Sequence, residues 1–350
     1  MANQILPYIS VEGIAEYSSK ISALAKNKKI FIICDQNTLQ CVKYLQSNIN
    51  ELSEAPIFKV GLGEENKTLI VSQKIWDFLL QNNATRSDLI VNVGGGMITD
   101  LGGFVASVYK RGISYLNIPT SLLGMIDASI GGKTGINYHH YKNQIGTFSN
   151  PKLVICDPHL LNSLPKKELL SGFAEALKHG LVFNEKYWQL CTSKPINQLP
   201  ISEIITDSIK IKSHIVSIDP YEKKERKLLN LGHTIGHSLE SLLLEKKTPT
   251  LHGFAVANGI VMESFIASEI KLLSRACFKI IKSSIYKIYQ PISIDKNDIP
   301  LLLEFMKKDK KNSSKEINFT LIERIGKGKI DVNLSEGIVQ EKLEKFISIG

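Results

Sequence analysis

The amino-acid sequence predicts an α/β N-terminal domain with a parallel sheet, followed by a mainly α-helical C-terminal domain. In the first part of the chain, short apolar runs rich in β-branched residues alternate with segments of helical periodicity. This pattern is typical of parallel strands joined by crossover helices. After Pro165 most segments have helical spacing instead. The length of 350 residues also favours two domains, which we place at residues 1–162 and 163–350.

The individual elements follow from this periodicity. Five apolar runs are predicted as strands, at Lys29–Cys34, Pro56–Val60, Asp88–Val93, Tyr115–Pro119 and Leu153–Asp157. Helices between them are predicted at Leu69–Gln81 and Met97–Lys110. Further helices are predicted at 166–190, 201–217, 228–246, 253–272 and 274–288. Glycines at 326 and 328 predict a short hairpin within Asn318–Ile330.

The composition limits the classes of function. Lys and Arg total 43 against 34 Asp and Glu, an excess that suits an anionic substrate. The lysine clusters lack interleaved aromatics, so we do not expect nucleic-acid binding. Five cysteines without a CxxC pair argue against a disulfide framework or a thiolate zinc site. Neither a secretory signal nor an apolar run of membrane-spanning length is visible, so we expect a cytoplasmic protein without membrane contact.

The end of the third predicted strand is glycine-rich. Gly94, Gly95 and Gly96 lead into a helix that carries Asp100, which allows a phosphate to approach the backbone and the helix N-terminus. The pattern is not GxGxxG, and a tight turn without a ligand is the alternative. Asp35 and Asn37 follow the first strand, where they suit ribose hydroxyls or cap the next helix.

A second polar concentration lies at Ser129–Asn137, with the sequence SIGGKTGIN. Asp127 precedes it, and Lys142 and Asn143 follow it. We interpret this segment as a glycine-rich binding loop at the ligand edge of the sheet. Lys133 resembles a P-loop lysine, but Asp127 stands where the first P-loop glycine would be, so nucleotide triphosphate binding is not expected.

The C-terminal part concentrates candidate metal ligands. Glu175 and Lys178 lie one helical turn apart on a predicted helix with apolar neighbours. They are either functional groups or a simple ion pair between neighbouring turns. Arg226, Asn230, His233 and His237 follow one another at spacings of four, three and four residues. On a helix these spacings would place all four in one stripe on one face. His233 and His237 have a familiar metal-ligand spacing, and His252 begins another predicted helix. Three histidines and a glutamate on an apolar helix suit Zn²⁺ or a similar ion with one open position.

Together these motifs make the chain resemble the 3-dehydroquinate synthase family, within the sedoheptulose 7-phosphate cyclase superfamily. The resemblance runs from about Asp35 to Lys311. Its strongest stretches are GGGMITDLGGFVASVYKRG, IPTSLLGMIDASIGGKTGIN, KNQIGTF, LPKKELLSGFAEALKHG, RKLLNLGHTIGHSLE and LHGFAVANG. It implies a dehydroquinate synthase-like fold, with a Rossmann-like NAD domain, a helical metal-binding domain and a homodimer.

The resemblance also implies roles for individual residues. The metal, Zn²⁺ or Co²⁺, is bound by Glu175, His233 and His252, which leaves His237 for the substrate. Arg111 is implied to cross the dimer interface. The other implied substrate contacts are Asp127, Lys133, Lys142, Asn143, Lys178, Lys212, Arg226, Asn230, His237 and Lys310. The implied NAD contacts are Asp35, Asn37, Glu64, Lys67, Gly95, Gly96, Asp100, Thr120, Ser121, Lys133 and Lys142.

The implied reaction converts 3-deoxy-D-arabino-heptulosonate 7-phosphate, a phosphorylated keto acid sugar, to 3-dehydroquinate and phosphate, in aromatic amino acid biosynthesis. It combines transient oxidation by NAD, phosphate elimination, re-reduction and aldol closure. Another sugar-phosphate cyclase and a metal-dependent polyol dehydrogenase are the alternatives. The many basic residues favour a carboxylated, phosphorylated substrate. The chain departs from the family pattern at Ser121, where threonine is usual, and at Pro220, where an acid is common.

Overall fold

A computed structural model of the chain describes residues 8–11, 13–139, 141–308 and 316–349. Backbone contacts divide it into two units. The first unit contains the chain up to Leu169 together with Ile201–Ser213, and the second contains Leu170–Pro200 and the chain from His214 onward. Composition alone did not distinguish Ile201–Ser213 from the helices around it, and a domain boundary at residues 162 and 163 stays a prediction.

Ten strands are present among the described residues. In chain order they are β1 (Tyr8–Ser10), β2 (Ile30–Asp35), β3 (Ile57–Val60), β4 (Leu89–Gly94), β5 (Ser114–Pro119), β6 (Lys133–Tyr138), β7 (Tyr141–Phe148), β8 (Leu153–Ile155), β9 (Glu316–Arg324) and β10 (Lys327–Ser335). The five strands predicted for the sheet are confirmed as β2, β3, β4, β5 and β8, with ends that differ by one or two residues.

Twelve α-helices are present in the same part of the chain. They are α1 (Ile14–Ala25), α2 (Leu39–Asn48), α3 (Leu69–Gln81), α4 (Gly96–Val108), α5 (Lys166–Phe183), α6 (Glu185–Thr192), α7 (Ile201–Ile218), α8 (His233–Glu245), α9 (His252–Glu269), α10 (Arg275–Tyr286), α11 (Ile299–Lys308) and α12 (Glu336–Ser348). The predicted helix Leu69–Gln81 is confirmed as α3, and Thr68 caps its N-terminus by accepting the amide of Val71.

The first unit is built on a parallel sheet of six strands, in the order β1-β8-β5-β4-β2-β3. Its central strand β4 is buried throughout, and α3 and α4 pack apolar residues such as Ile75, Leu79 and Leu101 into the core beside it. The chain passes from β2 to β3 on one side and then to β4 on the other. The carboxyl ends of β2 and β4 therefore flank a topological switch point, where ligands bind in open α/β sheets.

The prediction of a glycine-rich loop at Ser129–Asn137 is wrong for most of its length. Lys133 begins β6, which forms an antiparallel hairpin with β7, the strand that carries Lys142 and Asn143. The glycines allow close pairing, since a Cβ on Gly146 would lie 2.2 Å from the carbonyl oxygen of Thr134. They therefore indicate strand contact here rather than a loop.

The second unit is mainly helical, and the antiparallel pair β9 and β10 precedes its last helix, α12. This pair confirms the predicted hairpin and extends it on both sides. The core of the unit is built around α9, which is buried from Ala255 to Ser268. None of the helices in the described ranges combines the length and the apolarity that a membrane crossing requires.

The predicted helical stripe is also wrong. Arg226 and Asn230 lie in a 3₁₀-helix, Glu225–Asn230, whereas His233 and His237 lie on α8. Leu231 and Gly232 separate the two helices, and Gly232 has a left-handed φ of 78° that ends any continuous helical register.

Candidate active site

A buried carboxylate lies at the centre of a polar cluster in the second unit. Glu175 and Lys178 lie on α5, in a run of residues that is buried on all sides, and Glu175 is 0 % exposed. The Lys178 ammonium forms an ion pair with Oε2 of Glu175. A buried ion pair of this kind requires further polar partners to offset its desolvation.

Those partners come from α8 and α9. Oε1 of Glu175 lies 3.6 Å from Nε2 of His233 and 3.6 Å from Nε2 of His252. It accepts no hydrogen bond within the described ranges. One carboxylate oxygen and two imidazole nitrogens thus converge at a spacing that a single divalent ion could bridge.

His237 offers an alternative to Glu175 in this set. Ligand atoms of His233, His237 and His252 all lie within 4.8 Å of one another. The rings of His233 and His237 are 5.1 Å apart, as the i,i+4 spacing predicts. We favour Glu175 because its oxygen is buried and lacks a hydrogen bond from the described chain, whereas His237 is exposed.

Hydrogen bonds on the other ring nitrogens orient both histidines. Nδ1 of His233 lies 3.1 Å from the carbonyl oxygen of Leu231, and Nδ1 of His252 lies 3.1 Å from Oε2 of Glu240. Such partners fix the ring so that Nε2 faces a metal. Sequence reasoning missed Glu240, although it ends the quoted motif RKLLNLGHTIGHSLE.

The charges in this cluster favour metal ligation. Burial disfavours the ionised form of Glu175, but Lys178, His233 and His252 outweigh it and hold the pKa of that carboxyl well below its usual value. Burial and the Lys178 charge hold the pKa of His233 well below the usual value, so its ring is neutral. Burial also lowers the pKa of His252, but the carboxylates of Glu175 and Glu240 prevail and raise it to about 9. A metal would displace this proton.

Arg226 and Asn230 are fixed by a turn that begins at Asp219. The Asp219 carboxylate accepts backbone amides of Lys223 at 2.9 Å, Lys224 at 2.7 Å and Arg226 at 3.1 Å. The Arg226 side chain is buried and donates to the carbonyl of Pro220 at 2.6 Å. Asn230 donates to Glu222 at 2.7 Å. The sequence analysis did not single out Asp219.

The first unit contains a polar network around Lys67. Its buried ammonium lies 2.6 Å from Oδ2 of Asp100, 2.6 Å from Oδ1 of Asn143 and 3.7 Å from Oε1 of Glu64. Burial disfavours the charged form, but the carboxylates of Asp100 and Glu64 outweigh it and raise the pKa of Lys67. Four predicted residues therefore meet in one network. Asn137, which ends the predicted polar segment but was assigned no contact, joins it by donating to Glu64 and accepting the amide of Asn143.

Asp127 and Lys212 form a second pair in the first unit. Asp127 lies on a short π-helix, Gly124–Ala128, and Lys212 lies on α7. The Lys212 ammonium contacts the Asp127 carboxylate and also its backbone carbonyl oxygen, the latter at 2.6 Å. Lys212 lies within Ile201–Ser213, the part of α7 that belongs to the first unit.

Six of the predicted dinucleotide residues lie at the carboxyl ends of β2, β4 and β5, namely Asp35, Asn37, Gly95, Gly96, Thr120 and Ser121. Asp35 accepts the Thr38 amide at 3.0 Å, while Asn37 is exposed, and Thr38 rather than either is the N-cap residue of α2. Gly95 is the N-cap of α4 and has no side chain with which to cap this helix. The close-packed segment after β5 contains Thr120, which is buried, and Ser121, whose Oγ lies 3.3 Å from where a Gly95 Cβ would be.

The remaining predicted residues lie at the surface or outside the described ranges. Lys133, Lys142 and Arg111 are exposed. Arg111 has a φ of 64°, directly after Lys110 with a φ of 47°, so two non-glycine residues adopt left-handed backbone where α4 ends. Lys310 lies outside the described residues.

Comparison with known proteins finds one family along the chain. The sequence model described as 3-dehydroquinate synthase N-terminal matches residues 57–171, and the C-terminal model matches residues 172–312. A 3-dehydroquinate synthase of Parabacteroides distasonis is 38% identical over 332 residues, which cover 94% of this chain and 93% of that protein.

Solved structures share the fold at lower identity. A 2-epi-5-epi-valiolone synthase from Streptomyces hygroscopicus subsp. jinggangensis 5008, with NAD⁺ and Zn²⁺ bound, superposes with a TM-score of 0.86 at 23% identity, covering 100% of this chain and 99% of its own. A 2-deoxy-scyllo-inosose synthase complexed with carbaglucose-6-phosphate, NAD⁺ and Co²⁺ has a TM-score of 0.81 at 23% identity, with coverage of 97% and 96%.

Proposed function

The chain belongs to the 3-dehydroquinate synthase family, and on that premise we propose that it converts 3-deoxy-D-arabino-heptulosonate 7-phosphate to 3-dehydroquinate and phosphate. The enzyme is a carbon–oxygen lyase. Its reaction has no net oxidation, because the hydride removed from the substrate is returned before the ring closes. The observation that carries the proposal is the convergence of one buried carboxylate oxygen and two imidazole nitrogens at 3.6 Å.

The donor set fits a divalent ion. Oxygen and nitrogen donors without a thiolate suit Zn²⁺ or Co²⁺, and three protein ligands leave one position for the substrate. We assign the ligands as Oε1 of Glu175, Nε2 of His233 and Nε2 of His252. The orphaned, buried oxygen of Glu175 supports this assignment, because a buried carboxylate oxygen without a hydrogen bond is costly unless a cation satisfies it.

We place NAD at the carboxyl ends of β2, β4 and β5. The switch point between β2 and β4 supports this placement, as does the glycine N-cap of α4, which has no side chain to occupy the first amides of that helix. Asp35 lies at the end of β2, where a carboxylate suits ribose hydroxyls. When bound, the metal supplies a Lewis acid for a substrate hydroxyl and NAD supplies a reversible hydride acceptor.

Cations of the chain would bind the anionic groups of the substrate. A phosphate dianion and a carboxylate need several fixed positive charges. Lys178 and Arg226 are buried and held in place, the first by Glu175 and the second by the carbonyl of Pro220. Lys212 is held in the same way by Asp127. Their side chains are therefore preorganised, so little conformational entropy is lost when they bind and orient the substrate.

The finer properties of the enzyme are also proposed. We propose zinc as the metal and a cytoplasmic homodimer as the working state, as the family resemblance implies. Arg111 is proposed to reach the partner subunit, which its exposure and its left-handed backbone at the end of α4 support. His237 is proposed to contact the substrate phosphate, since it is exposed beside the metal set.

The decisive test is phosphate release from the heptulosonate 7-phosphate with substoichiometric NAD⁺ and Zn²⁺. We expect phosphate in large excess over the added NAD⁺, no net accumulation of NADH, and loss of turnover with a chelator. NADH that accumulates in proportion to a simple polyol would establish a dehydrogenase instead. Turnover only with a sugar phosphate that lacks the carboxylate would identify a different cyclase.

A further inference from the structure

Glu263 lies on α9, is fully buried and is not one of the metal ligands proposed above. Its carboxylate accepts the backbone N–H of Gly232 at 2.5 Å and that of Ile235 at 3.0 Å. Gly232 is the N-cap residue of α8, and Ile235 is the third residue of that helix. A glycine N-cap has no side chain to satisfy these amides. In a capping box, two side chains of the same helix accept the N–H groups of the N-cap residue and of the third helical residue. Here one glutamate from the neighbouring helix accepts both of these N–H groups.

One peptide group connects this cap to a metal ligand. The N–H of the Leu231–Gly232 peptide donates to Glu263, and the carbonyl of the same peptide accepts a hydrogen bond from Nδ1 of His233 at 3.1 Å. Hydrogen bonds in series through one group polarise one another. The hydrogen bond that Glu263 accepts thus strengthens the bond that orients the His233 ring and makes its Nε2 a better ligand.

The packing of α8 against α9 keeps this arrangement rigid. A Cβ on Gly259 of α9 would lie 2.1 Å from the carbonyl oxygen of Gly232, so the two backbones are in direct contact. The left-handed φ of Gly232, 78°, turns the Leu231–Gly232 peptide toward both Glu263 and His233. Because α9 also begins at His252, the same helix pair carries two of the three proposed ligands.

We infer that Glu263 is a positioning residue of the metal site, which orients His233 through the Leu231–Gly232 peptide. This inference rests on the proposed function for the identity of the ligands. Glu263 itself is not a ligand in this account, because each of its two carboxylate oxygens accepts a backbone amide.

The test is Co²⁺ binding to the metal-free, full-length protein, followed by visible absorption and by competition with a chromophoric chelator. Glu263→Ala should raise the Kd for Co²⁺ by about ten- to a hundredfold and change the absorption bands. Glu263→Gln keeps one acceptor but turns an amide donor toward the second N–H. Its Kd for Co²⁺ should therefore lie between those of the wild-type protein and Glu263→Ala. Should the alanine variant fail to fold, the glutamine variant carries the test.

The control is Ile285→Ala, which removes a fully buried side chain of α10 in the same unit. It should lower the stability and leave the Co²⁺ affinity and spectrum unchanged. Wild-type Co²⁺ affinity and spectrum in both Glu263 variants would overturn the inference, as would an equal loss of affinity in Ile285→Ala. Failure of the wild-type protein to bind Co²⁺ would instead contradict the proposed metal site.

Discussion

The carboxylates of the two units are satisfied in different ways. In the first unit, Asp100 meets the ammonium of Lys67 and Asp127 meets that of Lys212, so each acid is neutralised by the chain itself. In the second unit, Lys178 neutralises only one oxygen of Glu175, and the other oxygen faces two imidazole nitrogens. The difference teaches that an acid surrounded by polar groups does not by itself indicate a metal site. A buried carboxylate oxygen that accepts no hydrogen bond from the described residues and faces two imidazole nitrogens is the stronger indication.

Glu175→Gln should have the largest effect, because it replaces the carboxylate that distinguishes the second unit from the first. A neutral amide should weaken Zn²⁺ binding by more than about a hundredfold, because loss of a direct ligand exceeds the effect of an outer-shell partner. Phosphate release should fall with it. The affinity is measured by chelator competition on metal-free protein.

The matched control for Glu175→Gln is His237→Asn. Both variants leave His233 and His252 in place, so they distinguish the two possible ligand sets. We expect His237→Asn to keep its zinc and to raise the KM for the phosphorylated substrate. A larger loss of zinc in His237→Asn than in Glu175→Gln would reverse our assignment.

Lys67→Met tests the closed network of the first unit. It leaves the Asp100 carboxylate without its ammonium partner, which should lower the free energy of unfolding by up to about 3 kcal/mol. Chemical denaturation measures this loss, and Lys74→Met, at an exposed position of α3, provides the control. Zinc affinity should remain at the wild-type value, and a fall in it would argue that the two polar sets are not independent.

Glu240→Gln tests whether the carboxylate that contacts Nδ1 of His252 contributes to zinc binding in the second unit. The variant keeps an acceptor near Nδ1 of His252 but loses the charge that favours the donor form of this nitrogen. We expect zinc affinity to fall by about ten- to a hundredfold, as for other outer-shell partners. Isothermal titration of metal-free protein checks this, and an unchanged affinity would remove Glu240 from the site.

Asp219→Asn tests a carboxylate of the second unit that is satisfied by three backbone amides rather than by a cation. Burial raises the pKa of Asp219, but amides of Lys223, Lys224 and Arg226 outweigh it and lower the pKa below its usual value. The stabilisation is therefore fully present above about pH 4, the unfolded pKa, and is lost as pH falls through the folded pKa. We expect the variant to be about 1.5 kcal/mol less stable at pH 7.

Denaturation at two pH values checks the sign of this effect. In the presence of a chelator, the difference between wild type and Asp219→Asn should shrink between pH 7 and pH 3. A difference that stays constant or grows on acidification would mean that the charge of Asp219 does not stabilise the turn before Arg226.

Much of the fold follows from the sequence because the periodicity is strong. The runs that became β2, β4 and β5 are continuous and apolar, as buried parallel strands require. The hairpin of β6 and β7 was not predicted, because its glycines and lysines read as a loop unless the partner strand is known. Gly135 lies beside Gly146 only through pairing that sequence separation conceals.

The site was less accessible to sequence reasoning than the fold. Spacing suggested His233 with His237, since both lie on one helix, and only the resemblance replaced His237 with Glu175. The meeting of Glu175 with His233 depends on where the fold places α5 relative to α8, which periodicity does not encode. Glu240 and Glu263 act through hydrogen bonds to a ring and to a peptide, and they have no spacing signature relative to those partners.

Anomalous diffraction at the zinc edge, from crystals of the zinc-loaded protein, tests the central claim most directly. We predict one strong peak about 2.0–2.2 Å from Oε1 of Glu175, Nε2 of His233 and Nε2 of His252, with His237 outside the coordination sphere. A peak bound by His233, His237 and His252, with Glu175 beyond bonding distance, would contradict the account.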